Sequence, residues 1–235
     1  MDILTFKIVY ILYEIAEKYK KVTLILRFIY LSKNLNLLKK RQQLPQEQFI
    51  DEDYFIYCLE AVPNIETVKV TEANKNLEQL TMQYRMASIY KTCDTIEGLE
   101  ASLNALVSDD HNFKDYEIIY LVIAGEANSI CLNDYYYSLQ EIAEIFEGRL
   151  KGKILHFSNA KVLDLDEEEA QYFLDITGAK GVSGYGNEFN GISSSNLDKA
   201  FFNLFKEDEN MLEVVEELHQ KYYNVCKLLD FRLYY

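Results

Sequence analysis

The chain has 235 residues, and its 49% apolar and 26% charged content is ordinary for a folded globular protein. A chain of this length can bury a full hydrophobic core, and its composition excludes wholesale disorder. The net charge of −14 argues against direct nucleic-acid binding, because phosphate contacts need a surplus of Lys and Arg.

The charge is unevenly distributed along the chain. Residues 1–45 hold nine Lys and Arg against three Asp and Glu, whereas the rest holds 15 against 35, so the first part carries +6 and the remainder −20. Apolar residues such as Ile8, Ile11 and Ile15 recur at helical spacing, which predicts a basic amphipathic helical extension over 1–45. Its three candidate roles are docking on the acidic domain 46–235, contact with a partner protein and attachment to a membrane surface; charge complementarity favours the first two.

Motifs for export, metals and nucleotides are missing from the sequence. Lys7, Glu14 and Glu17 interrupt the first apolar run, so we expect neither a signal peptide nor a membrane-spanning helix. We therefore expect a cytoplasmic protein. The four cysteines form no CxxC pair, which predicts reduced structural thiols and no metal site. No GxGxxG or GxxxxGK[ST] loop occurs, so no cofactor is expected.

From residue 46 onwards, short β-rich runs alternate with amphipathic helical stretches. Ser138 with Glu141, and Asp166, indicate helix starts, while Gly148 and Gly178 indicate helix ends. Strands that are apolar on both faces and separated by helices predict an α/β fold with a mainly parallel sheet covered by helices on both faces. We predict strands at 54–62, 85–90, 116–125, 153–159 and 179–185, helices at 95–107, 138–150, 166–177, 193–205 and 210–229, and a short edge strand or docked tail in the final FRLYY.

The residues that follow the strands are the candidates for a site, because open parallel sheets bind ligands beyond the carboxyl ends of their strands. Three stretches stand out there: IYLVIAGEANSICL, KGKILHFSNA and KGVSGYG. Their order resembles the caspase-like CHAT proteases, particularly a small bacterial branch with a tail like FRLYY, and the resemblance covers about residues 52–235. It implies a caspase-like sheet and a cysteine peptidase that cleaves a specific partner protein.

In that family a His-Gly ends the third strand and a Cys closes the turn after the fourth. The matching positions here are Ala124, for the general-base His, and Ala160, for the nucleophilic Cys. Alanine can perform neither role, and loss of both groups removes roughly a million-fold of rate in comparable triads. The backbone N–H of Gly125 remains a candidate oxyanion donor. We therefore predict that the chain is catalytically inactive.

Other strand-end residues are candidates for contact with a substrate. The resemblance implies a pocket in this region for the residue preceding the cleaved bond. Glu60 and Glu126 could give it acidic walls that favour a basic side chain, with Ser183, Gly184 and Tyr185 beside them. The alternative is an apolar pocket with both glutamates in water.

Three further groups have structural interpretations that compete with functional ones. His156 lies too far along its strand to be the base for position 160, and a core histidine is expected. The acids from Asp164 to Glu169 are interpreted as helix N-terminal charges. The run Tyr135–Tyr137 is interpreted as loop packing, with a binding platform as the alternative.

Two functions are consistent with the sequence. The first is a caspase-like cysteine endopeptidase in inactive form, in bacterial defence or signalling, with the alanine pair introduced deliberately. The second is a natural pseudoprotease or non-enzymatic α/β interaction module. In both, the expected partner is a protein.

Overall fold

The computed structural model describes residues 55–63, 70–109, 116–188, 192–207 and 210–235, all within the unit from Asp51 to Tyr235. The predicted extension over 1–45 and its boundary lie outside the described residues and stay predictions. The strands are β1 (Phe55–Ala61), β2 (Ala87–Cys93), β3 (Tyr116–Val122), β4 (Gly125–Glu126), β5 (Ser129–Leu132), β6 (Tyr135–Ser138), β7 (Ile154–Lys161), β8 (Gly181–Tyr185) and β9 (Phe231–Tyr234). The helices are α1 (Glu72–Tyr84), α2 (Ile96–Asp109), α3 (Leu139–Ile145), α4 (Glu167–Thr177), α5 (Ser195–Glu207) and α6 (Met211–Leu229).

The described strands form one mixed sheet whose centre is parallel. Its main order is β2-β1-β3-β7-β8-β9, in which only β9 runs antiparallel, and the small antiparallel unit β4-β5-β6 joins at the end of β7. One face packs on α2, α3 and α4, and the other packs on α1, α5 and α6. This confirms the prediction of a mainly parallel sheet with helices on both faces.

The signals that start and stop helices act as predicted at several places. Ser138 and Asp166 each form a reciprocal capping box, with Glu141 and Glu169 respectively. Gly178 ends α4 in the left-handed conformation, with φ of 73°. Each cap satisfies backbone groups that a helix end leaves unpaired.

Several local predictions are wrong. The strand predicted at 116–125 ends at Val122, and Gly125–Glu126 belong to the separate strand β4. The helix from Ser138 ends at Ile145 rather than at 150. The strand predicted from 85 begins at Ala87, because Arg85 is the left-handed cap of α1, a helix that the prediction omitted. The segment predicted as loop around Tyr135–Tyr137 is strand β6. Its hairpin turn is Asn133-Asp134, with φ of 49° and 65°, the positive values that a two-residue turn requires.

Candidate functional site

The predicted site positions 124 and 160 lie at the carboxyl ends of two neighbouring strands. Leu121 pairs with Phe157 where β3 meets β7, and Glu126 pairs with Lys161 where β4 meets β7. Residues 122–125 therefore lie opposite residues 158–160, with one extra residue on the β3–β4 side. The register brings position 160 level with Ala124 and Gly125 at the edge of the sheet.

The same stretch of β7 is irregular against its other neighbour, β8. His156 pairs with Ser183, but the next aligned pair is Lys161 with Tyr185, so four residues of β7 lie opposite Gly184 alone. Such an excess bends a strand and ends its regular pairing. Position 160 thus lies in a bulged strand end, a common feature beside binding sites.

Gly125 lies where no side chain fits. A Cβ at this position would lie 2.1 Å from the backbone oxygen of Ser129 and 2.9 Å from the Cα of Ile130. The backbone N–H of Cys131 donates to the Ala124 oxygen at 2.7 Å, which holds the exposed Ala124 against β5. The tight hairpin explains the glycine, and the oxyanion role of its N–H stays a prediction.

Glu126 forms an ion pair with the residue that follows position 160. Its carboxylate lies 3.1 Å from Lys161 Nζ, and both side chains are about half exposed, at 52% and 46%. The hydrogen bond and the charge of Glu126 raise the pKa of Lys161. The predicted acidic wall at Glu126 is therefore a neutralised pair, which weakens the expected preference for a basic side chain here.

Glu60 lies at the same edge of the sheet but on β1, two strands away from β7. Its carboxylate accepts hydrogen bonds from Thr71 Oγ1 at 2.6 Å and from Tyr90 Oη at 2.7 Å. Burial, with the carboxylate as a further cause, raises the pKa of Tyr90 to about 12. Glu60 joins the N-cap of α1 to β2, and the structure does not bring it together with positions 124 and 160.

Ser183 and Tyr185 lie inside the protein rather than on a pocket wall. Their exposed fractions are 0% and 1%, and Gly184 between them is also buried. A Cβ on Gly184 would lie 2.9 Å from the Phe157 oxygen, so the glycine permits close packing of β8 on β7. Direct substrate contact by the two side chains conflicts with this placement, because their hydroxyls are used in an interior network.

That network is centred on Asp198, in the first turn of α5. His156 Nε2 lies 3.0 Å from Asp198 Oδ1, and His156 Nδ1 lies 2.9 Å from Ser183 Oγ. Asp198 also accepts hydrogen bonds from the hydroxyls of Tyr120, Ser158, Tyr185 and Ser194. The sequence interpretation of His156 as a core histidine agrees with its complete burial.

The environment of Asp198 keeps its carboxylate charged. Burial alone would raise its pKa, but hydrogen bonding and charge attraction from His156, with hydrogen bonds from Ser158 and Tyr185, lower the pKa below its ordinary value. Burial raises the pKa of Tyr120 and Tyr185 well above the usual value, so both phenols stay protonated as donors. The network ties α5 to three central strands, and Ser158 lies two residues before position 160.

The described residues contain no nucleophile–base pair at the sheet edge. Burial raises the pKa of Cys58 well above its ordinary value, that of Cys93 to about 12 and that of Cys226 to about 11, so these thiols resist ionisation. The remaining thiol, Cys131, is half-buried on β5. No cluster of metal ligands and no helix able to cross a membrane occurs within the described ranges.

The predicted tyrosine run lies on the hairpin at this edge. Tyr135 and Tyr136 are 67% and 60% exposed, while Tyr137 packs against the core. The neighbouring Cys131 and Glu126 raise the pKa of Tyr136. Sequence reasoning missed this hairpin and the Lys161 pair, although the Asn-Asp turn was a usable signal.

The model of a family of unknown function, DUF6642, matches residues 53–235. This chain belongs to that family. No curated protein matches it significantly. Among solved structures, the chain is similar to the Drosophila initiator caspase Dronc, with 10% sequence identity, 70% of each chain covered and a TM-score of 0.45.

Proposed function

We propose that this chain is an inactive caspase-like peptidase domain that binds a segment of a partner protein at the carboxyl edge of its sheet without cleaving it. The observation that carries the proposal is the register, which puts positions 124 and 160 side by side, both occupied by alanine. Cysteine peptidase chemistry needs a thiolate and a base within hydrogen-bond reach, and alanine supplies neither.

Exposure at this edge supports binding. Ala124, Glu126 and Lys161 are exposed, whereas the strands behind them are buried. Interior hydrogen bonds to Asp198 fix the β7 segment just before the edge. A strand anchored by interior hydrogen bonds beneath an exposed surface is a suitable place for an extended peptide, because binding then has to order less of the protein.

The resemblance of the strand-end stretches to the CHAT proteases supports a role for this chain in bacterial defence or signalling, exercised through a partner protein. Sequencing the gene in its source organism distinguishes an introduced alanine pair from a natural one. The binding proposal holds in either case, since it depends on the surface and not on the history of the two positions.

The test is selection of peptides from a random display library on the full chain. Selected peptides are expected to lose affinity for A124R at the sheet edge and to keep it for E216R, a matched change at an exposed position of α6. They should remain intact with the unaltered chain and be cut by A124H/A160C. Failure to select any peptide, equal binding by A124R, or cleavage by the unaltered chain would each overturn the proposal.

A further inference from the structure

A cleft lies beside α3 and α4, and its lining includes neither position 124 nor position 160. It has a volume of about 400 Å³, near the lower end of ligand-binding cavities. Its floor is apolar and buried, formed by Leu139, Leu165 and Phe173, and Tyr172 contributes a 39% exposed ring. A volume of this size suits one or two side chains rather than a large cofactor.

The rim of this cleft is acidic. Glu168 and Glu169 line it, and Glu167 precedes them in the same helical turn. Glu169 is already used, because its carboxylate accepts from the backbone N–H of Asp166 and from the Asn128 side chain. The Glu168 carboxylate makes no hydrogen bond or ion pair with any residue that the structure describes.

An anion is a poor occupant even though two helices begin here. The capping boxes of Ser138 with Glu141 and of Asp166 with Glu169 already supply carboxylates to both helix N-termini. Those carboxylates already neutralise the partial positive charge at the two helix N-termini, and they would repel a further negative group. The capping hydrogen bonds from Ser138 also lower the pKa of Glu141, which keeps it charged.

A long cationic side chain fits all of these features. Lys and Arg lay their apolar stems along hydrophobic surface and keep the charged end near water and carboxylates. An aromatic ring at the wall adds a cation–π contact. We infer that this cleft binds a lysine or arginine side chain of a partner's peptide segment, with Glu168 as its charge partner and Tyr172 as its wall.

This inference does not rest on the proposed function, because the residues that line the cleft do not include Ala124, Glu126 or Lys161 of the proposed peptide-binding edge. The probes are two short peptides that differ only at their central residue, arginine in one and neutral, isosteric citrulline in the other. Binding to the full chain is followed by chemical-shift changes of backbone amides. The arginine peptide should move signals of α3 and α4 near the cleft, and the citrulline peptide should bind about fivefold more weakly.

Matched variants test the two assigned roles. E168Q should lower the affinity of the chain for the arginine peptide about fivefold, whereas E216Q on α6 should leave that affinity unchanged. Y172F should bind the arginine peptide as tightly as the unaltered chain does, and Y172A should bind it more weakly. The inference is overturned by equal binding of both peptides, by equal effects of E168Q and E216Q, by shifts confined to other surfaces, or by no binding at millimolar peptide.

Discussion

Asp198 and His156 form a hydrogen-bonded pair that is closed to solvent, with Oδ1 and Nε2 3.0 Å apart and exposed fractions of 1% and 0%. The pair joins α5 to β7 in the interior, directly behind the strand end that carries position 160. Replacing Asp198 by Ala removes the buried carboxylate that pairs with His156 and accepts hydrogen bonds from Tyr120 and Tyr185. We expect D198A to lower the free energy of unfolding by about 3–5 kcal/mol, measured by denaturant titration. E216Q is the control, and a loss below about 1 kcal/mol would contradict the role of the network.

The lowered pKa of Asp198 gives this pair a defined pH dependence. The carboxyl titrates near pH 3.9 in the unfolded chain, according to its ordinary value, and lower in the folded one. Its stabilisation is therefore present above about pH 4 and is lost as the pH falls through the folded pKa. The difference in unfolding free energy between the unaltered chain and D198N should shrink as the pH falls below about 4. A difference that stays constant or grows would show that Asp198 is not preferentially ionised in the folded state.

Two glycine-to-alanine changes should have opposite effects. At Gly125 the new Cβ would meet the Ser129 backbone oxygen at 2.1 Å, so G125A should destabilise the fold by about 2 kcal/mol or more as the hairpin is displaced. At Gly98, in α2, the nearest atom is Thr95 Oγ1 at 3.4 Å, and G98A should stabilise by about 0.5 kcal/mol through helix propensity. Thermal unfolding of both variants measures the two changes in stability relative to the unaltered chain. A neutral G125A would contradict the tight turn next to position 124.

Thiol reactivity should single out one of the four cysteines. Burial raises the pKa of Cys58, Cys93 and Cys226, so their thiolate populations at neutral pH are very small. Alkylation of the native chain, followed by mass spectrometry, should modify Cys131 first. C131S should remove the fast phase and leave the slow ones. Fast modification of Cys58 in a folded chain would contradict the buried core around β1.

Sequence patterns predicted the parts of this fold that depend on local chemistry. Strand runs such as those of β3 and β7 are apolar on both faces, and the capping boxes at Ser138 and Asp166 are short-range signals. The helix α1 was missed because few of its residues are apolar; only Ala73, Leu77 and Leu80 give it a buried apolar face. The hairpin β5–β6 was missed because the short run Tyr135–Tyr137 lies directly before the helix start at Ser138, although tyrosine is common in strands.

The site was partly predictable for a related reason. Strand ends indicated which edge to examine, so positions 124, 125, 126 and 160 fall together in the register. Burial of Ser183 and Tyr185 was not predictable, because it depends on a distant helix: Tyr185 donates to the Asp198 carboxylate, and Ser183 bonds to His156, which contacts the same carboxylate. Asp198 lies 42 residues after His156, and no local pattern marks it. The pairing of Glu126 with Lys161 likewise depends on register rather than on sequence spacing.

Thiol titration tests directly, and without knowledge of a substrate, the proposal that positions 124 and 160 form a peptidase-like pair. A160C and A124H/A160C are prepared in a C131S background, and circular dichroism verifies that both are folded. The rate of alkylation of the thiol introduced at position 160 is then measured against pH. We predict that the imidazole introduced at position 124 lowers the apparent pKa of that thiol from about 8.5 to about 7.5 or below. The same pH profile in both folded variants would contradict the account.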